Sequence, residues 1–120
     1  MRIQTFAALT GLSVHTLRYY EKIGLLHPGR NASGHRDYRE NEVEWISFIK
    51  RLKETGMPLE AIQRYARLRS QGNSTLAERR TLLAHHADRL AQRLAEQQAH
   101  LIQLEAKMVW YDGELLKNGA

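Results

Sequence analysis

Apolar residues recur along this chain at spacings of three and four, the period of helices that bury one face, and no long alternating strand interrupts them. Phe6-Ala7-Ala8-Leu9 follows Thr5 and stops at Gly11, which predicts a short first helix. Ser13 is a good N-cap for a second helix, Val14 to about Ile23, and Gly24 suits its C-terminal end. Two short helices around Thr-Gly-Leu-Ser read as a helix-turn-helix, in which the second helix enters the major groove. Phe6, Leu9, Leu12, Val14, Leu17 and Ile23 pack the pair together, with Arg18 and Lys22 outside. Tyr19 and Tyr20 are adjacent, so they point about 100° apart and only one can be well buried.

Turn-forming Pro28, Gly29, Asn31, Ser33 and Gly34 come next, between Leu25-Leu26 and His35 to Tyr38. The flanks predict short strands of a β-hairpin, a wing carrying Arg30, Arg36 and Arg39. A third helix is expected from about Glu40 to Glu54, its wide apolar face made by Val43, Trp45, Ile46, Phe48, Ile49 and Leu52. Thr-Gly-Met-Pro ends it, Pro58 suits the first turn of a fourth helix over Leu59 to Ser70, and Gln-Gly-Asn-Ser-Thr reads as a linker.

The remainder is a different kind of object. Leu83, Ala87, Leu90, Leu94, Gln97, Leu101, Leu104, Met108, Tyr111 and Leu115 form a heptad seam, uninterrupted by glycine or proline from Leu76 to Asp112. A helix of roughly 40 residues is about 60 Å long. A compact domain of this size has a radius of gyration near 14 Å. The helix is therefore expected to project and to need a partner chain along its seam. This divides the chain into residues 1–70 and a linker plus dimerisation helix, 71–120.

Charge sharpens that division. Residues 1–70 carry 12 Lys and Arg against 7 Asp and Glu, whereas residues 71–120 carry 6 against 6. The whole basic excess of +5 thus lies in the first part, as expected of a phosphate-binding module. The absence of cysteine excludes disulfides, thiolate metal sites and a thiol nucleophile within these residues. No stretch approaches the ~18 apolar residues that span a bilayer, and the first residues lack an apolar leader segment, so a cytoplasmic location is expected.

With these residues in view, the chain resembles the MerR-type bacterial transcription regulators. The resemblance rests on FAALTGLSVHTLRYYEKIGLL for the helix-turn-helix, SGHRDYRE for the wing and FIKRLKETGMPLEAI for the second helical pair. RLAEQQAHLIQLEAKMVWYDGEL is similar to the dimerisation helix of the short, aldehyde-responsive branch. It implies a mainly α fold, a winged helix-turn-helix followed by an antiparallel coiled coil. The implied function is that of a homodimeric regulator that binds a palindromic promoter operator, distorts the spacer and acts with RNA polymerase. By position, Arg18, Tyr19 and Tyr20 would face DNA backbone and bases, Lys22 would flank them, and Arg36, Tyr38 and Lys53 would hold phosphates. His15 and Thr16, early on the recognition helix, would read base edges. His35 stands where the family has a wing tyrosine, and Arg51 where aldehyde-responsive members carry a cysteine, so thiol sensing is outside this chain's chemistry.

Other chemistry is weaker. His86 and His100 share a heptad position but lie about 21 Å apart along the helix, so they read as a polar rim and no metal or cofactor is expected. Trp110 and Tyr111 leave open plain packing or the lining of a pocket for a small-molecule effector. No acid–base constellation, P-loop or dinucleotide motif is present, so an enzyme is not expected. The rim charges, with basic residues at g and acidic ones at e, favour parallel strands against the family's antiparallel coil. The alternative function is an architectural, excisionase-like DNA binder without effector sensing. A helical adaptor that binds only proteins is disfavoured by the segregated charge.

Overall fold

The computed structural model describes residues 1–119. Its elements are α1 (Ile3–Thr10), α2 (Val14–Lys22), β1 (Gly29–Arg30), β2 (Arg36–Asp37), α3 (Asn41–Glu54) and α4 (Leu59–Ser70). A single 3₁₀ turn, Asn73–Thr75, then leads into α5 (Leu76–Lys117). This is the mainly helical architecture expected: a helix-turn-helix, a two-stranded wing, a second helical pair and a long C-terminal helix.

Local capping explains the helix ends. The Ser13 Oγ accepts from the Thr16 amide at 3.0 Å, satisfying a donor that helix geometry leaves unpaired. At the other end of α2, Gly24 adopts φ +84°, which lets the Leu25 amide donate to the Tyr20 carbonyl at 2.8 Å and Gly24 to Glu21 at 3.2 Å. The end of α3 repeats the device: Gly56 has φ +84°, Met57 donates to Leu52 at 2.9 Å, and Gly56 to Lys53 at 3.0 Å. Both are Schellman caps, and each turns the chain so that the next apolar residue, Leu25 or Met57, drops into the core.

Residues Met1–Leu83 form one compact unit. Its core joins Phe6 of α1, Leu17 and Tyr20 of α2, Leu25 and Leu26, and Tyr38 to Trp45, Ile46, Ile49 and Leu52 of α3 and Ile62 and Ala66 of α4. Leu82 and Leu83, in the first turns of α5, are half-buried against this core. The unit therefore runs past residue 70, where the sequence suggested a boundary. Trp45 is its hub. Its indole N–H donates to the Leu25 carbonyl at 2.7 Å, Tyr65 stacks on it at 5.8 Å, and the Arg69 guanidinium lies 4.3 Å from the ring centroid.

Three local expectations change. Leu9 is 57% exposed, and Thr10 turns inward instead. The Thr10 hydroxyl donates to the Ala7 carbonyl and accepts from the Leu12 amide, so its burial leaves no polar atom stranded. Leu25 and Leu26 are core residues of an irregular segment rather than a strand. The antiparallel ladder is shorter, pairing Gly29 with Asp37 and Arg30 with Arg36.

From Ala84 onward the second unit is the continuation of α5. None of the α5 residues is buried within the chain. Leu94, Leu101, Leu104, Met108, Tyr111 and Leu115 of the seam are exposed, and Leu90 is half-buried. Leu83 differs from the rest of the seam, because it packs within the first unit. Trp110 and Tyr111 meet edge-on at 4.8 Å, and the Lys107 ammonium lies 4.5 Å from the Trp110 ring. Among the described helices none is long and apolar enough to cross a membrane.

Candidate nucleic-acid interface

The recognition helix α2 exposes His15, Arg18, Tyr19 and Lys22, while Leu17 and Tyr20 turn inward. The tyrosine pair divides as adjacent helix positions must, one inward and one outward. Tyr19 is 46% exposed and Tyr20 only 3%. The Tyr20 ring joins the core, and its hydroxyl accepts from the Lys53 ammonium of α3 at 3.1 Å. That ammonium also lies 5.2 Å from the ring centroid. Tyr20 and Lys53, both expected on DNA, thus meet each other, Tyr20 as an anchor and Lys53 at the surface. Thr16 is half-buried, and its hydroxyl accepts from Ser13 at 3.0 Å.

Tyr38 lies in the core rather than at the surface. It was expected to hold a phosphate, but the residue is 1% exposed, with its ring stacked on Phe6 at 4.7 Å and 17°. Its hydroxyl is covered and has no protein partner among the described residues. Burial raises its pKa above the usual tyrosine value, with the Glu21 carboxylate adding to the shift, so the phenol stays neutral. In this conformation Tyr38 anchors the wing and its hydroxyl does not reach the surface.

The wing is closed by its own side chains. The Asn31 Oδ1 accepts from the amides of Ser33 and His35 at 3.0 and 3.1 Å, and the Asn31 amide donates to the His35 carbonyl at 2.9 Å. From β2, the exposed Arg36 reaches α2, where its Nε donates to both Glu21 carboxylate oxygens at 2.9 Å. This bond, with the Coulomb attraction of Glu21, raises the Arg36 pKa.

Between recognition helix and wing lies a cleft of about 340 Å³ lined by Arg2, Ile3, Gln4, Arg18, Arg30, Gly34, His35 and Arg36. Four guanidinium groups around one concavity make a strong anion-binding surface, because each carries a fixed charge and a planar fork of donors. Arg18 and Arg36 were expected there. Arg2 was not, because it precedes the first helix and carries no local signal, and the Glu21 that pairs with Arg36 lies fifteen positions from it in the chain. Among the described residues no group of three or more His, Asp or Glu could hold a metal ion.

The family model for the MerR HTH family of regulatory proteins matches residues 1–69, more than half of the chain. The chain belongs to the MerR family. A second MerR model, described as DNA binding, matches residues 43–107 and so reaches well into α5. The HTH-type transcriptional regulator AdhR of Bacillus subtilis (strain 168) is 42% identical over 91 residues, 75% of this chain and 65% of its own length. The chain thus spans just under two thirds of that relative. A crystal structure from Listeria monocytogenes, provisionally assigned as a MerR family transcriptional regulator, is 33% identical with a TM-score of 0.86. The match covers 97% of this chain and 89% of that one. HiNmlR, a MerR family regulator lacking the sensor domain and solved bound to promoter DNA, is also 33% identical, with a TM-score of 0.77. There 92% of this chain and 89% of that one are covered. These MerR relatives are transcriptional regulators rather than enzymes, in agreement with the expectation from sequence.

Proposed function

We propose that this MerR-family chain is a homodimeric, sequence-specific transcription regulator that binds a palindromic promoter operator and distorts the spacer between the promoter elements. The observation that carries the reading is the arginine cleft shared by the recognition helix and the wing. Arg18, Arg30 and Arg36 supply phosphate contacts there, while the exposed His15 and Tyr19 of α2 face the major groove. Lys22 and Lys53 add charge at the surface.

Dimerisation is supported by the seam of α5. Leu94 is 63% exposed, Leu104 64% and Met108 65%, too much apolar surface at heptad spacing for a helix alone in water. Two copies present two recognition helices to half-sites one helical turn or its multiple apart. RNA polymerase at the promoter and a small-molecule effector complete the reading, with cytoplasmic DNA as the site of action. Within these 120 residues such an effector meets no thiol, because they contain no cysteine.

Footprinting on the DNA upstream of the protein's own coding sequence, with transcription measured on the same template, tests this. A protected palindrome between promoter elements, hyper-reactive at its centre and accompanied by changed transcription, is the expected result. Bent DNA without a transcriptional effect would make the protein architectural, and no protection would remove the DNA-binding reading.

A further inference from the structure

Glu21 is an acidic residue half-buried beside Arg36, which lines the cleft together with Arg2, Arg18 and Arg30. A carboxylate there repels DNA phosphate, so bulk electrostatics alone would favour its removal. Its geometry suggests a compensating role. Both carboxylate oxygens accept from the single Nε–H of Arg36 at 2.9 Å, across the gap from recognition helix to wing. A guanidinium has five N–H donors, and this pairing uses one. The four on Nη1 and Nη2 make no hydrogen bond among the described residues, and the side chain is 46% exposed. Glu21 thereby holds the guanidinium at Nε and leaves the Nη1 and Nη2 donors without a hydrogen-bond partner among the described residues. The backbone of Arg36 is held as well, by its pairing with Arg30 and by Tyr38 two residues on, stacked in the core on Phe6.

We propose that Glu21 is a positioning residue for DNA binding: it orders the Arg36 fork before a phosphate arrives, at the cost of one unfavourable charge near the backbone. The inference rests on the reading of Arg36 as a phosphate contact. Ordering a flexible side chain in advance removes an entropy cost that would otherwise fall on association. It also ties recognition helix to wing, so that contacts made by α2 and by β2 are in register.

The test is a double-mutant cycle in the full chain, read by fluorescence anisotropy on a labelled mixed-sequence duplex, whose binding depends on phosphate contacts rather than on an operator. Glu21→Ala is expected to weaken binding about two- to tenfold although it removes a negative charge. In the Arg36→Ala background the same change should leave affinity equal or higher, because only repulsion remains to be lost. Glu21→Gln keeps an acceptor for Nε and should recover at least the wild-type affinity. The Arg36 Nε–H resonance should persist in Glu21→Gln and broaden in Glu21→Ala, and thermal melts of each variant confirm that it is folded. If Glu21→Ala binds as tightly as the parent, or more tightly, whether or not Arg36 is present, Glu21 is only a surface charge and the proposal is wrong. If Arg36→Ala alone leaves affinity and salt dependence unchanged, the phosphate reading of Arg36 fails and the positioning role falls with it.

Discussion

Tyr38→Phe separates a structural tyrosine from a DNA-binding one. The side chain is buried at 1% exposure, and its hydroxyl has no protein partner among the described residues. A hydroxyl taken out of water without a hydrogen bond costs roughly 1–3 kcal/mol by protein mutational data. Deleting the oxygen relieves that cost and leaves the ring stacked on Phe6 at 4.7 Å. The void it leaves is on the order of 10 Å³, which at ~24 cal/mol per Å³ costs only about 0.2 kcal/mol. The expected net is a stabilisation of about 1–2 kcal/mol. In urea, at fixed protein concentration, the midpoint should rise by about 0.5–1 M at an unchanged slope of roughly 2 kcal/mol per M.

Duplex binding by the same variant should stay within about threefold of the parent, since a covered hydroxyl contributes none of the ~1–3 kcal/mol of a direct contact. A lowered urea midpoint would show that the hydroxyl is hydrogen-bonded in solution. A tenfold loss of DNA affinity with stability intact would return Tyr38 to the interface. The first outcome refutes the unpaired burial of the hydroxyl, and the second refutes the assignment of Tyr38 as a wing anchor rather than a DNA contact. The pH dependence gives a second check. The folded pKa lies above the unfolded value of 10.0, so Tyr38 contributes stability that is present below pH 10 and declines as pH rises beyond it. Tyr38→Phe should flatten that alkaline limb.

Further substitutions test other links in the chain. Ser13→Ala removes the N-cap acceptor of α2 and should cost about 1 kcal/mol in denaturant unfolding. Gly24→Ala meets no atom within 4 Å but forces a side chain to φ +84°, so roughly 1–2 kcal/mol should be lost from backbone conformation alone. His86 has a pKa below 6.5, first from burial and then from Arg93 and Arg89. Its contribution to stability is therefore complete above pH 6.5 and is lost as pH falls through the folded value, a dependence that His86→Gln should remove in pH-resolved melts. Leu101→Asp puts a charge into the exposed seam and should give monomers in sedimentation, with loss of operator binding while residues 1–83 stay folded; a dimer that survives would place the interface elsewhere.

How far the sequence carries depends on whether a feature is local. Ser13, Gly24, Gly56 and Pro58 end or begin helices through bonds within a few residues, and the predicted ends of α2, α3 and α4 fall within a residue or two of those observed. The choice between Leu9 and Thr10 was not legible. An eight-residue helix with alanines at its centre has no clear apolar face, and Thr10 can turn inward only because neighbouring backbone satisfies its hydroxyl. Leu25-Leu26 has the composition of a strand, but the Leu25 carbonyl is taken by the Trp45 indole, a partner twenty positions away. The interface divides the same way. Arg18 and Arg36 are conspicuous as basic residues on a helix and a wing, whereas Arg2, Glu21 and the burial of Tyr38 depend on packing between segments that the sequence keeps apart.

That division bears on the two tyrosines. Tyr20 places its ring in the core and its hydroxyl on Lys53, which fastens α2 to α3. The Gln63 side chain of α4 donates to the Ile23 carbonyl at 3.1 Å, holding the C-terminal end of α2, and Glu21 joins the helix to the wing through Arg36. Three neighbouring elements thus hold α2 by residues from Tyr20 to Ile23, while His15, Arg18, Tyr19 and Lys22 remain at the surface. A recognition surface held this way loses little entropy on binding, because the backbone and the anchoring side chains are already ordered. Its affinity for DNA therefore depends on two sets of residues with different signatures. Loss of an exposed contact such as Arg18 should lower the slope of log affinity against log salt by about 1 per chain. Loss of an anchor such as the Tyr20–Lys53 bond should weaken binding with a smaller change in that slope, because the phosphate contacts survive but must be ordered on arrival. Tyr19 is in the first set by exposure and Tyr20 in the second by burial, which is why two adjacent and chemically identical side chains should respond differently to replacement by phenylalanine.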